Sequence, residues 1–411
     1  MFLRLVLTGV SMRAARRAFT IFAEVFGAAW RPPAWTTGRL WLLRLGHYQL
    51  TRPKEHASDW AWLTDHSVQI GPEKCLAIVG VRLSKLPARG ECLRHEDLQL
   101  IALEPMRSST KQDVCERLEA AALATGAPRV IVNDHGADLT GGVGIFRQKH
   151  PQTVEIYDMK HKAACLLKAR LEHAPRWREF QSMIGRTRVA IQQTELAFLV
   201  PPGPKSKARF MNLQSMLNWG AQVLEVLREP PAVVRTSSSE ERLREKLGWL
   251  EAFRAELSEW REWQEVVNAA VEHVGRQGVY AGASADLQAA LPANSNYPSS
   301  RALAEELLAF AADESTKALP GERFPGSTEV LESLFGRFKV LEKQHAKGGF
   351  TSLVLGFGAL LSQTSTGTIC QALAESGTKS VWDWCRQKLG TTFRSQRKQA
   401  FQAIPCATNP G

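Results

Sequence analysis

Between about residues 58 and 170, short apolar runs alternate with helix-period segments; after about Ala174 the runs stop and only the helix period continues. A segment with a two-residue period can bury its apolar face only as a strand, so the first part must build a sheet. The runs predict strands at about 60–65, 74–83, 97–105, 129–133 and 153–157. An amphipathic helix, about Lys111 to Thr125, presents Val114, Leu118, Ala121, Ala122 and Ala124 on one side and separates the third strand from the fourth. A shorter helix, about Leu139 to Arg147, separates the last two, and another begins near His161. The order β-β-β-α-β-α-β-α predicts a mixed five-stranded sheet with helices on both faces.

The remainder predicts helices at Trp177–Leu196, Asn212–Leu227, Ser237–Gly275 and Ser299–Ala312, divided by Pro/Gly/Ser loops, with no return of the strand pattern. Further helices are predicted at 327–345, 350–363, 366–375 and 379–389. Ahead of the sheet, a helix from about Ser11 to Phe26 precedes Arg31-Pro32-Pro33. A second helix follows, Thr37 to Leu45, capped by Thr36 and ended by Gly46. That pair reads as a helix-turn-helix with Arg39 and Arg44 facing DNA, or as a helical cap on the next domain. The expected division is a DNA-binding region over 1–55, a sheet domain over 56–175, an all-helical insertion over 176–322, and a return to the sheet domain over 323–411.

The 52 Lys and Arg against 41 Asp and Glu leave a formal charge of +11, which points to a polyanionic partner such as nucleic acid. Lys205, Lys207 and Arg209, and Arg394, Arg397 and Lys398, are candidate phosphate contacts, although such runs also serve as solvated faces. Seven Cys without a CxxC pair exclude a zinc ribbon and a disulfide framework, and read as reduced, mostly buried thiols of a cytoplasmic protein. The longest apolar stretch, Leu353 to Leu361, is half a membrane span, so no membrane partner is expected. The opening run Met1–Leu7 is too short for a secretion signal. There is no GxxxxGK[ST] loop and no GxSxG elbow, and Gly141-Gly142-Val143-Gly144 lacks dinucleotide-site spacing.

Three carboxylates carry the chemistry. Asp65 ends Trp60-Ala61-Trp62-Leu63-Thr64, Asp134 ends Arg129-Val130-Ile131-Val132-Asn133, and Glu332 sits on the helical pattern 327–335. Two strand-end aspartates and a helical glutamate make an all-oxygen site for hard divalent cations, which suits phosphoryl transfer. Asp138 is the rival to Asp134, being expected instead to cap the helix opening near Leu139. Glu329 is the rival to Glu332 on the same helix face. His66 and His135 flank the aspartates and read as strand-end caps or tuning groups.

The order of elements and the three acids resemble the DDE transposases of the RNase H-like superfamily. Asp158-Met159-Lys160-His161, after the fifth strand, resembles the Cys/Asp-x-x-His pair of hAT transposases, which also insert an all-helical domain before the final glutamate. The overall plan is similar to that of bacterial insertion-sequence transposases. The resemblance implies Asp65, Asp134 and Glu332 as catalytic and metal-holding residues, with Asp158 and His161 as auxiliary ones. It also implies two Mg²⁺ ions, with Mn²⁺ able to substitute, and a nucleoid-associated homo-oligomer acting on terminal inverted repeats and target DNA. Trp260 and Trp263 would then stack on bases, and Lys339 would reach a phosphate. A metal-dependent nuclease or resolvase, or a non-catalytic transposase-derived DNA-binding protein, is the alternative.

Overall fold

The computed structural model describes residues 1–27, 29–70, 73–203, 210, 213–343, 351–361, 365–391 and 393–402. The chain divides into two compact units, Met1–Ile156 with Thr328–Gly411, and Tyr157–Ser327. It is a mixed α/β protein in which helices predominate.

The first unit opens with α1 (Phe2–Leu7), α2 (Met12–Val25) and α3 (Trp35–Thr51). Then come β1 (Trp60–Ile70), β2 (Glu73–Arg82), β3 (Gln99–Met106), α4 (Lys111–Thr125), β4 (Val130–Asn133), α5 (Ala137–Lys149) and β5 (Val154–Tyr157). The sheet runs β3-β2-β1-β4-β5. β1 pairs antiparallel with β2, β2 antiparallel with β3, and β1 parallel with β4.

Alternation along the strands sorts the sheet into two faces. On one, Trp60 and Trp62 of β1, Leu76 and Ile78 of β2 and Ile131 of β4 form one cluster with Val114 and Leu118 of α4 and Leu139, Val143 and Phe146 of α5. Each such fully buried large side chain contributes roughly 1.5–3 kcal/mol of burial free energy. The glycines of α5 belong to this packing: a Cβ on Gly142 would stand 2.5 Å from Val114 Cγ1, so α4 and α5 approach closely only because it is absent. Ala61, Leu63, Ala77, Val79 and Val132 are equally buried but face the other way.

After the second unit the chain returns through α14 (Glu329–Lys343), a 3-10 turn (Ser352–Leu355), α15 (Gly356–Leu360), α16 (Thr366–Glu375), α17 (Thr378–Leu389) and α18 (Phe393–Gln402). α14 packs on β1, and α3 on β3, α15 and α16.

Residues 1–55 therefore belong to the sheet unit rather than standing apart. α3 is a core helix that buries Leu42, Leu43, Leu45, His47 and Tyr48. Gly46 does not end it. It sits mid-helix, where a Cβ would lie 1.7 Å from the Leu355 carbonyl oxygen, and it admits that close crossing. The longest predicted helix, 237–275, is three pieces separated at Gly248 and Arg254. Among the described residues no helix is long and apolar enough to cross a membrane.

The second unit contains α6 (Met159–Leu171), α7 (Pro175–Ile191), α8 (Gln214–Arg228), α9 (Ala232–Ser237), α10 (Glu240–Leu247), a 3-10 turn (Gly248–Phe253), α11 (Arg254–Gln277), α12 (Ala283–Ala290) and α13 (Pro298–Ser315). A short ladder joins Val279–Tyr280 to Arg323–Phe324, so two-residue strands do occur where none was predicted.

Candidate functional site

β1 and β4 run parallel with Ala61 opposite Val130, Trp62 opposite Ile131 and Leu63 opposite Val132. Carried two residues further, this register brings Asp65 level with Asp134, the first residue after β4; β1 runs on to Ile70, so Asp65 lies within its strand and not at the expected strand end. Alternation puts Asp65 on the face of Leu63, opposite the tryptophan cluster, while Asp134 stands in the turn that follows β4. α14, which carries Glu332, packs on β1 and contributes nothing to that cluster. Glu332 is half-buried and Glu329 exposed, which agrees with Glu332 as the inward acid of the pair.

The loop after β4 is built to hold Asp134. Asn133 Oδ1 accepts from His135 N at 2.8 Å, and Asp134 Oδ1 accepts from Gly136 N at 2.9 Å. These bonds close a tight turn in which His135 adopts φ 60°, a left-handed conformation that is uncommon outside glycine but enriched in His, Asn and Asp. Asn133 also donates to Glu155 Oε1 at 2.8 Å, which ties the turn to β5. Asp65 Oδ1 accepts from His66 N at 2.6 Å. Oδ2 of Asp134 has no hydrogen-bond partner among the described residues.

Asp138 lies in the first turn of α5, against His66 of β1 and Lys74 of β2. Its Oδ2 lies 3.1 Å from His66 Nε2 and 3.2 Å from Lys74 Nζ, and Ser109 bonds it too. Partial burial would raise this carboxyl, but the Ser109 bond, His66 and Lys74 outweigh it and bring the pKa down to about 2. Burial pushes the His66 imidazole below its ordinary value, against the pull of Asp138 and Asp134. Ser109 Oγ also approaches His66 Nε2, at 3.1 Å, the same nitrogen that faces Asp138. The three side chains thus lack the nucleophile–base–orienter order of a hydrolase, in which the two partners use opposite ring nitrogens.

A carboxyl whose pKa falls on folding stabilises the native state above its unfolded pKa, and that contribution disappears as pH drops through the folded value. Asp138→Asn should therefore lower the unfolding free energy at neutral pH by about 2 kcal/mol. The gap to wild type should close between about pH 4 and pH 2, as followed by denaturant melts. A gap that stays constant through that window would mean Asp138 is not held by these partners.

The remaining predicted residues are placed differently from expectation. Arg39 donates to Ser352 Oγ at 2.7 Å and Arg44 donates to the carbonyls of Ser376 and Leu373, so both are spent tying α3 to the C-terminal segment, not offered to DNA. Burial lowers the Arg39 guanidinium pKa. Trp260 and Trp263 are 5% and 7% exposed and pack in the helical core rather than forming a stacking platform. Trp260 stands edge-on to Trp177 at 4.9 Å, and Trp263 Nε1 donates to Ser299 Oγ at 3.1 Å. Asp158 is fully buried and caps α6, accepting from Lys160 N at 2.6 Å and His161 N at 3.1 Å. His161, half-buried, is thereby part of a helix start. Lys339 is exposed on α14, and Arg397 lies over Phe401. Lys205, Lys207 and Arg209 lie outside the described residues. Of the six described cysteines all are free, and only Cys75 and Cys115 are buried, fewer than expected.

Among the described residues no three His, Cys, Asp or Glu side chains gather closely enough to hold a metal ion. β1 and β4 are parallel neighbours and α14, which carries Glu332, packs on β1, but the three acids do not form a closed cage among the described residues. No protein-family model matches the chain, and no curated protein matches it.

Proposed function

We propose that this chain is a DNA transposase of the RNase H-like superfamily, cleaving and joining DNA at Asp65, Asp134 and Glu332. The observation that carries the reading is adjacency: β1, which holds Asp65, pairs in parallel with β4, which Asp134 directly follows, and the helix bearing Glu332 packs on β1. The strand order β3-β2-β1-β4-β5, with its antiparallel and parallel pairings, supports an RNase H-like core. So does the helical unit interposed between the second and third acids.

The donor set fits hard divalent cations, since all three groups offer carboxylate oxygens. Bound there, two Mg²⁺, or Mn²⁺ in their place, would supply Lewis acidity to a phosphodiester and to the attacking water or 3′-hydroxyl. The chain's own part is to fix the carboxylates: backbone N–H groups of His66 and Gly136 each hold one oxygen of an aspartate. Carboxylates about 4 Å apart repel by about 4 kcal/mol per pair near a protein surface, a repulsion that bound cations would offset. Synapsis of two transposon ends would require a homo-oligomer.

The test uses labelled duplexes taken from the DNA on either side of the coding segment, incubated with the full chain and plasmid target in Mg²⁺ or Mn²⁺. Joined products that disappear with EDTA are expected. Cleavage without joining would make the protein a nuclease or resolvase. Binding with neither reaction would make it a non-catalytic DNA-binding protein and end the proposal.

A further inference from the structure

α8 and α11 enclose a groove of about 450 Å³ in the helical unit. Along α11 the groove is lined by Arg254, Ser258 and Arg261, at spacing i, i+4 and i+7 on one helix face. Across it on α8 stand Asn218 and Gln222, one turn apart, and Leu257 forms part of an apolar floor. None of Arg254, Arg261, Ser258, Asn218 and Gln222 makes a hydrogen bond or ion pair among the described residues. Elsewhere in this unit arginines are largely paired: Arg176 bonds Glu256 and Glu179, and Arg242 bonds Glu195 and Glu245. The one acid among the lining residues, Glu225, is neutralised by an ion pair with Arg228 on its own helix.

Two unpaired guanidiniums about 10 Å apart along the helix axis match phosphates one or two nucleotides apart on an extended strand. Arg254 also stands at the first residue of a 24-residue helix, whose positive end adds to the attraction for anions there. The amides of Asn218 and Gln222 each offer a donor and an acceptor, the pattern that meets base edges. The apolar floor suits a base face. A duplex is too wide for a groove of this volume.

We propose that the α8–α11 groove binds a short single-stranded segment of nucleic acid, gripping its phosphodiester backbone through Arg254 and Arg261. The choice of ligand rests on the polynucleotide reading of the acid site, but the groove and its test do not depend on that site's activity.

The test measures fluorescence anisotropy of a labelled oligothymidylate of about ten nucleotides with the full chain over a range of salt. Arg254→Gln with Arg261→Gln should weaken binding at least about tenfold at low salt and flatten the log–log salt slope by about 1.4, two phosphates' worth for single strands. Asn218→Ala with Gln222→Ala should weaken binding while leaving the salt slope unchanged. All four side chains are exposed, and unchanged thermal melts will confirm that the variants fold. Asp65→Asn with Asp134→Asn should bind as wild type, so loss of strand transfer with intact single-strand binding fails only the transposase reading. Affinity and slope unaffected by the arginine pair, or an equal arginine-dependent affinity for a hairpin duplex, would overturn the proposal.

Discussion

Asp65→Asn and Asp134→Asn should each reduce DNA cleavage and joining by about 10²–10³-fold or more, the scale on which removing one preorganised electrostatic group slows a reaction. Asp138→Asn, four residues from Asp134, should retain most activity. The amide is nearly isosteric with the carboxylate and keeps an oxygen at Oδ1, so Gly136 N can still donate to residue 134 and the turn around His135 should persist. Only the charge and one hard ligand are lost. Asp138 differs because it lies in the first turn of α5, where His66, Lys74 and Ser109 already engage it. Its loss should be read in acid stability instead. Equal loss of activity in the Asp134 and Asp138 variants, with all proteins folded, would mean that Asp138 takes part in the acid site as much as Asp134 does.

The strands were legible because a half-buried sheet imposes a period that few other structures tolerate. β1 starts at the predicted residue, and β4 and β5 within one residue of it. What alternation cannot report is which surface a helix buries and against what. α3 carries Arg39 and Arg44 on a short helix after Pro32-Pro33, the local pattern of a DNA-reading helix, and nothing local reveals that Ser352 and the carbonyls of Leu373 and Ser376, some three hundred residues away, meet those guanidiniums. Gly46 was misread for the same reason, since a glycine that admits a crossing backbone looks in sequence like one that ends a helix. Asp158 before His161 was equally open to a helix start, where a carboxylate at the N-cap satisfies free backbone N–H groups. The α8–α11 groove had a weaker signal, Arg254, Ser258 and Arg261 at i, i+4 and i+7, but the absence of partners for them is a tertiary fact.

Trp260→Ala should destabilise the helical unit by about 3–5 kcal/mol, a drop of about 10 °C in its melting transition, and should leave DNA affinity of the folded protein within about twofold of wild type. The ring is 5% exposed and shares a cluster with Trp177, at 4.9 Å and nearly perpendicular, and with Phe180, at 5.3 Å. Phe180 in turn packs on Trp249 and Phe253, so removing the indole opens a cavity at the junction of α7, α11 and the 3-10 turn between α10 and α11. Edge-to-face pairs add about 0.5–1.5 kcal/mol beyond area, which Trp260→Phe should largely keep. The phenylalanine variant therefore separates the two roles a tryptophan can have here. If Trp260 is core, alanine lowers the melt steeply, phenylalanine lowers it mildly, and neither changes the salt dependence or affinity of DNA binding. A melt unchanged in the alanine variant, with end binding lost, would return Trp260 to the role of a base-stacking platform. It would also require this helix to present to DNA the face it now turns toward Trp177 and Phe180.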